Sequence, residues 1–379
     1  MERSVVGKVL AKCARGLRHC LTGEGRDALR LAARHDLAVP LFWLQKSAPR
    51  SWLPAPASVN IEITNRCNLN CVMCVRRYWD PDANPLGEMG YGFFAEHLLP
   101  HLRRSQHVNL QGVGESLVSR SFLPMLEACR RVGCRTSFIT NGVALKRHAE
   151  KLVDVGVDEV KVSIDGTDSM QAMRGVEVST VLEAIDAVNE AKRRAGKARP
   201  ELYVNYVLTR DSLPELPKLL RLLGPRGVRR VIVMHVIVHA PELLDRSVFP
   251  VYGRAQGPLD EAAAEAKRHG IELELPPPPG TSCRCYQPFR MIYVNWDGTV
   301  RPCCMSTIEE DGALRVGTLG ERPLPELWNS AYMHGLRRAL LDERGMPEMC
   351  LTCPARVTDL GSHTHFLGKM RRPAPGSGA

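Results

Sequence analysis

The chain has 379 residues, and its 44% apolar content is enough to build cores in two or three folding units, which excludes disordered and fibrous classes. Lys and Arg number 51 against 41 Asp and Glu, a net charge of +10 that permits an acidic partner or an anionic surface without requiring one. Thirteen cysteines exceed what packing needs. With no charged-then-apolar leader at the start, they point to reduced thiols, metal or redox chemistry, and a cytoplasmic location.

In chain order, Val5, Val6, Val9, Leu10, Cys13, Leu17, Cys20 and Leu21 recur at spacings of three and four, the pattern of an amphipathic helix with basic residues between. A second helical run covers 26–35, and the Pro/Trp-rich stretch 40–58 reads as an irregular connector. The basic helix is expected to pack on the domain behind it, with contact to a membrane surface as the less favoured alternative. The longest nearly apolar stretch, 37–44, is broken by Pro40 and is far short of the roughly 20 residues of a bilayer span. A soluble protein is expected.

After residue 58 short β-rich runs alternate with helical ones, which predicts repeated βα units around a parallel sheet. Strands are expected at 59–64, 107–111, 135–140, 159–164, 201–208 and 229–237. Helices are expected at 93–104, 122–132, 146–155, 178–194, 213–223 and 259–269. Six units are too few for a closed eight-unit barrel, so the fold class is α/β with an open, partial barrel whose chemistry collects on the loops after the strands. A further strand at 271–275 runs into Pro276-Pro277-Pro278-Pro279-Gly280, a stiff spacer that marks a domain boundary. The expected organisation is a helical extension (1–57), a barrel (58–275), a linker (276–280), a small cysteine-rich domain (281–370) and a disordered tail (371–379).

Directly after the first strand, Cys67, Cys71 and Cys74 are separated by three and then two residues. Three thiolates on one short loop suit a cubane iron–sulfur cluster and leave one iron open. Structural zinc prefers four closed ligands, often from paired knuckles that this loop lacks. Gly112 and Gly114 let backbone approach a ligand closely, and Glu115 offers an acceptor for an ammonium group. Asn141 and Asp165, at neighbouring strand ends, offer acceptors for hydroxyls.

This succession resembles the radical S-adenosylmethionine (radical SAM) enzymes, with their C-x3-C-x2-C loop after the first strand of a partial (β/α)6 TIM-like barrel. The resemblance implies a [4Fe-4S] cluster held by Cys67, Cys71 and Cys74, with SAM as cosubstrate. It implies that Gly114 and Glu115 meet the methionine amino group, and that Thr140, Asn141, Ser163 and Asp165 approach the ribose and carboxylate. Arg174 then serves that carboxylate, and Met73 covers adenine where relatives often carry an aromatic residue. Val113 and Ser116 replace the usual glycine and proline beside Gly114-Glu115.

Past the spacer, Cys285, Cys303, Cys350 and Cys353 can close either a cubane or a tetrahedral zinc site. A hairpin at 291–301, turning at Trp296-Asp297-Gly298, would bring Cys285 and Cys303 to one end. The spacing C-x12-G-x4-C followed by C-x2-C, with Leu327-Trp328-Asn329 before the last pair, resembles the SPASM auxiliary-cluster domain in its shortened twitch form. That resemblance implies one auxiliary [4Fe-4S] cluster. Cys283 and Cys304 are left over, as spare thiols or as hydrogen-atom donors to a substrate radical. Cys129 and Cys134, away from the strand-end face, are expected to be structural.

The resemblance implies reductive cleavage of SAM to a 5′-deoxyadenosyl radical that abstracts a hydrogen atom from a substrate C–H bond. A saturated auxiliary cluster suits an electron acceptor, which favours net oxidation of a small molecule such as a sugar or aminocyclitol. The alternatives are a redox-neutral epimerase or eliminase with a cysteine donor, and a peptide-modifying maturase. A non-catalytic electron carrier or zinc-structured interaction protein would not need Glu115, Asn141 and Asp165 around an open iron. Tyr203, Asn205, Met234, His235 and His239 are candidate lumen residues, although a satisfied core position is the favoured role for either histidine. The implied partners are the substrate and an external electron donor of flavodoxin or ferredoxin type, with no nucleic acid expected.

Overall fold

The computed structural model describes residues 38–48, 51–80, 82–307, 314–365 and 367. The helical runs expected at 5–21 and 26–35, with Cys13 and Cys20, and the tail at 371–379 lie outside the described residues. Strands β1 (Ser58–Ile61), β2 (His107–Leu110), β3 (Arg135–Thr140), β4 (Glu159–Ser163), β5 (Glu201–Leu208), β6 (Arg230–His235) and β7 (Glu272–Glu274) each pair in parallel with the next. The sheet stays open, with β7 at one edge. It is a mixed α/β fold built on a partial barrel, in which the further strand expected at 271–275 joins the six barrel strands as β7.

The helices between strands form where apolar residues recur every third and fourth position. The longest, Val178–Ala195, buries Val181, Leu182, Ala184, Ile185, Val188 and Ala191 along one stripe. Lys192, Arg193 and Arg194 sit in its last turn against the negative end of the helix dipole, and Gly196 ends it at a left-handed φ of 61°. The helix expected at 93–104 is instead two, Tyr91–His97 and Leu99–Leu102, because Pro100 has no N–H to continue the ladder. Among the described residues no helix is long and apolar enough to cross a membrane.

The strands alternate in a way that separates two environments. Val59, Ile61, Val108, Leu110, Val160, Val162, Val204 and Val231 face the helices and are completely buried. The opposite, inward face is polar at mid-height. Asn109 Nδ2 donates to Asn60 Oδ1 at 2.7 Å, Ser137 Oγ donates to Asn109 Oδ1, and Lys161 Nζ reaches both Asn109 Oδ1 and Ser137 Oγ at 3.4 and 3.3 Å. A closed barrel fills its interior with branched apolar side chains. Here the inner wall offers hydrogen-bonding groups instead.

The sheet does not stop at the proline spacer. β9 (Met291–Val294) pairs in parallel with the free side of β1, and β10 (Thr299–Arg301) and β11 (Gly317–Thr318) add antiparallel strands beyond it. The expected β9–β10 hairpin forms, with Gly298 at φ 86°. A β-carbon there would stand 2.7 Å from Phe93 Cζ. Two short strands, β8 (Thr281–Ser282) and β12 (Val357–Thr358), close a separate ribbon. The spacer is tethered at both ends: His235 Nε2 lies 3.2 Å from Pro277 O, and Gly280 N donates to Thr358 O at 2.8 Å.

The connector expected to be irregular at 40–58 begins as a helix, Ala38–Gln45. Pro40 falls in its first turn, where a missing N–H breaks no intrahelical bond. Phe42 is fully buried edge-on to Phe289 at 5.2 Å. Downstream, Trp328 Nε1 donates to Pro54 O at 2.7 Å, and Asn329 clasps Leu53 by accepting from its N–H at 2.8 Å and donating to its C=O at 3.1 Å. The segment before β1 is thus fastened to the C-terminal elements. Asn329→Ala leaves both Leu53 backbone groups without this partner and should cost about 1–3 kcal/mol in denaturant unfolding. Wild-type stability in that variant would show that the clasp holds nothing.

Candidate active site and auxiliary thiol site

The first cysteine loop leaves the C-terminal end of β1 at the centre of the sheet. Its approach is fixed by Thr64 Oγ1 donating to Gly87 O at 2.7 Å and by Asn65 Oδ1 accepting from Gly87 N at 2.8 Å. The loop after β2 lies directly against it: a β-carbon on Gly114 would stand 2.4 Å from the carbonyl oxygens of Thr64 and Arg66. Gly114 is therefore required for backbone to pass backbone, as the sequence suggested.

Donors surround the thiols. Leu69 N lies 3.5 Å from Cys67 Sγ, Asn141 Nδ2 lies 3.8 Å from the same sulfur, and Arg174 Nη1 lies 3.9 Å from Cys71 Sγ. Burial pushes the Cys71 thiol up to about 11, against the pull of Arg174 and with Cys74 and Cys67 close enough to add to the rise. Cys74 is likewise raised by burial, opposed by the Arg76 backbone N–H and charge. Such thiols ionise when a metal centre replaces their protons, and the surrounding N–H groups and guanidinium then face sulfur charge. The donor set fits an iron–sulfur cluster with three protein ligands.

The residues expected to face SAM come together around this loop. Arg174 Nε donates to Asp165 Oδ2 at 2.5 Å, and Asp165, fully buried, also accepts from Val207 N at 2.8 Å. Asn141 Nδ2 donates to Asn68 Oδ1 at 2.8 Å, which links the β3 loop to the cysteine loop. Ser163 ends β4 beside Asn205 of β5. Met73 is buried in an apolar cluster with Tyr78, Trp79, Val236 and Val238. Glu115 is 2% exposed and turns its carboxylate to the backbone N–H groups of Asn141 and Leu117, at 2.7 and 3.2 Å, and to Thr140. Burial raises its pKa, and those donors oppose the rise. The carboxylate thus ties the β2 loop to the β3 loop.

The second thiol set converges on one cavity lined by Cys285, Cys303, Cys350 and Cys353 together with Pro288, Pro302, Met305, Leu314, Leu336, Leu340, Met349 and Arg356. Burial lifts Cys285 and Cys350 to about 12 and Cys353 to about 11, and the other thiols of the set raise each further. A cubane spaces its thiolates more widely than one tetrahedral ion does.

The leftover cysteines part company. Cys283 is exposed beside β8, with its thiol 3.8 Å from Ala355 O. Cys304 also has accessible surface, and burial raises its thiol to about 12. It lies within electrostatic reach of Tyr293, which sits on β9 opposite Asn60 of the inner face. Cys129 and Cys134 are buried away from both sets, in the core.

Among the lumen candidates Tyr203 needs revision, and both histidines take the core role favoured for them. Tyr203 lies near the start of β5, far from the loops, with its hydroxyl donating to Glu201 at 2.9 Å. His235 points to the helix side, in register with Leu208, and packs on Phe249 at 4.6 Å. His239 is buried near Tyr78. Asn205 and Met234 do share the inward face, and Met234 is 43% exposed there.

Sequence reasoning passed over Glu62, whose buried carboxylate accepts from Val113 N at 3.0 Å and from Asn295 Nδ2 and Trp296 N of the hairpin at 3.2 and 3.4 Å. One side chain thereby connects the cysteine strand, the β2 loop and the C-terminal hairpin. The available signal was the alternation Val59-Asn60-Ile61-Glu62-Ile63-Thr64, which puts an acid on the inward face of an otherwise apolar strand.

Comparison with known proteins agrees with this geometry. The family model of the radical SAM superfamily matches residues 61–223, and that of the SPASM iron–sulfur cluster-binding domain matches residues 283–354. A PqqA peptide cyclase of Streptomyces rochei is 29% identical over 338 residues, covering 81% of this chain and 84% of that protein. A tungsten-containing aldehyde ferredoxin oxidoreductase cofactor-modifying protein of Pyrococcus furiosus is 26% identical over 291 residues, 71% of this chain and 80% of that protein. Among solved structures, Streptococcus suis SuiB bound to S-adenosylmethionine shares the fold with a TM-score of 0.61 at 16% identity, over 82% of this chain and 74% of that one. The chain is a radical SAM enzyme with a C-terminal SPASM domain, and so a protein of SAM and iron–sulfur clusters.

Proposed function

We propose that this enzyme modifies a peptide, taking a hydrogen atom from one of its C–H bonds in the manner of a maturase of ribosomally made peptides. The observation that carries this reading is the likeness to PqqA peptide cyclases of 24–29% identity, which extends over more than four-fifths of both partners. It favours a peptide over the sugar or aminocyclitol expected from the sequence.

When bound, the first cluster and SAM supply a 5′-deoxyadenosyl radical that performs the abstraction. Cys67, Cys71 and Cys74 hold the cluster, and Arg174, oriented by Asp165, sets a positive charge beside Cys71. Gly114 allows the β2 loop to close over the cysteine loop, and Glu115 fixes the β3 loop so that Thr140 and Asn141 present their polar groups to SAM. Ser163 and Met73 complete that wall. Cys285, Cys303, Cys350 and Cys353 would hold an auxiliary cluster, which would supply an electron acceptor for a net oxidation such as a cross-link. An external flavodoxin or ferredoxin supplies the reducing electron. A second reading, a redox-neutral outcome, is favoured by one feature: Cys304 lies within electrostatic reach of Tyr293, which pairs opposite Asn60 of the inner face, so that a hydrogen atom could be returned from that side. Cys283, beside β8, is the poorer donor.

Anaerobic reconstitution should load about eight irons per chain, and dithionite with SAM should release 5′-deoxyadenosine. Cys71→Ala should lose about half the iron and all of that release, whereas Cys285→Ala should lose about half the iron and retain it. Iron analysis and chromatography check both, and a site loaded only with zinc ends the reading. Gly114→Ala should lower 5′-deoxyadenosine release at least tenfold, because two backbone carbonyls block the added methyl group. Wild-type release from that variant would mean that the two loops need no close approach. For the substrate, the small peptides encoded near the gene are coexpressed with the enzyme and weighed by mass spectrometry. A loss of two hydrogens that disappears with Cys71→Ala is expected; unaltered peptides, together with turnover on a metabolite fraction, would restore the small-molecule reading.

A further inference from the structure

Arg337, on the helix Ala331–Asp342, has no exposed surface. Its Nε donates to Pro288 O at 2.8 Å, and its guanidinium lies over the Trp328 ring at 4.1 Å. Nη1 and Nη2 are buried with no hydrogen-bond partner. Burial alone lowers its pKa, to about 9, so the group stays charged at neutral pH. An unpaired cation in the interior is strongly unfavourable and calls for a compensating anion.

The four-cysteine cavity adjoins this helix. Leu336 and Leu340, on the same helix, line that cavity, as does Pro288, the residue Arg337 holds. One residue before Pro288, Gln287 N donates to the Cys285 sulfur. The turn that serves Cys285 is therefore gripped from behind by Arg337. Of the other cations that act on these thiols, Arg356 pairs with Glu343 at 3.0 Å, whereas Arg301 donates to the Ser306 carbonyl at 2.9 Å. A cubane with four thiolates is a net anion whose charge grows by one on reduction, and its potential depends on nearby charge and on hydrogen bonds to its sulfurs.

We propose that Arg337 is the buried counter-cation of the auxiliary cluster, raising its reduction potential and holding, through Pro288, the turn that donates to Cys285. The proposal rests on the reading of this cavity as an iron–sulfur site. Arg337 is a positioning residue, acting on the thiols through Pro288, whose carbonyl it holds and which lines their cavity.

The test uses the full chain with Cys67, Cys71 and Cys74 all replaced by alanine, so that only the auxiliary site loads. The midpoint potential of the reconstituted protein is measured by redox titration followed by electron paramagnetic resonance, and metal-free protein is melted alongside. Arg337→Met should shift the potential negative at unchanged iron content and leave the metal-free protein as stable as its parent or more so. Arg337→Lys, which keeps the charge, should restore most of the parent potential. Equal potentials for parent and Arg337→Met at equal iron overturn the proposal, as does an equal loss of stability with and without metal. Should Arg337→Met not fold, Arg337→Gln replaces it in the same comparison. A parent that binds zinc and no iron overturns the proposal together with the cluster reading, and metal analysis separates that outcome from the others.

Discussion

Everything about this site follows from where β1 lies. With β2 on one side and β9 on the other, both parallel to it, β1 is the strand to which the two halves of the chain attach. Parallel neighbours send their following loops out at the same end. The three-cysteine loop after β1, the Gly114-Glu115 loop after β2 and the hairpin turn after β9 therefore meet at one edge of the sheet. Glu62, the residue after β1, makes that meeting specific by accepting from the β2 loop and from the hairpin at once. A buried carboxylate with three donors is stable only while all three remain in place.

What could be read in advance was what local spacing encodes. The barrel strands and most helices follow from periods of two and of three to four, and the β9–β10 turn follows from Asp297-Gly298. The first thiol site was legible because its ligands sit within eight consecutive residues, Cys67 to Cys74. The second brings together residues 68 apart, Cys285 and Cys353, and its choice between a cubane and zinc depended on the resemblance of the spacing to the SPASM pattern. Pro40 and Pro100 misled in opposite directions, since the same residue is harmless in a first turn and disruptive further along.

What stayed hidden depends on contacts distant in sequence. Nothing in the run Gly335-Leu336-Arg337-Arg338 distinguishes a fully buried guanidinium from an exposed neighbour. The pairing of β9 with β1 has no sequence mark either, because any apolar strand of the right length fits an open parallel edge. Tyr203 was misjudged for a simpler reason, since a position near the strand start lies far from the chemistry, whereas His235 takes the core role that was favoured for it because a one-residue step from Met234 reverses the face.

The shared sheet also bears on how the enzyme can be divided. A fragment ending before the proline spacer would lack β9 and bare one whole edge of β1 at the centre of the molecule, a template for adding a strand from another copy. Nicking the spacer alone leaves that edge covered, so the two pieces should stay associated. Shuffling auxiliary domains between such enzymes thus means transplanting an interior strand of the catalytic sheet, which is harder than exchanging appended modules.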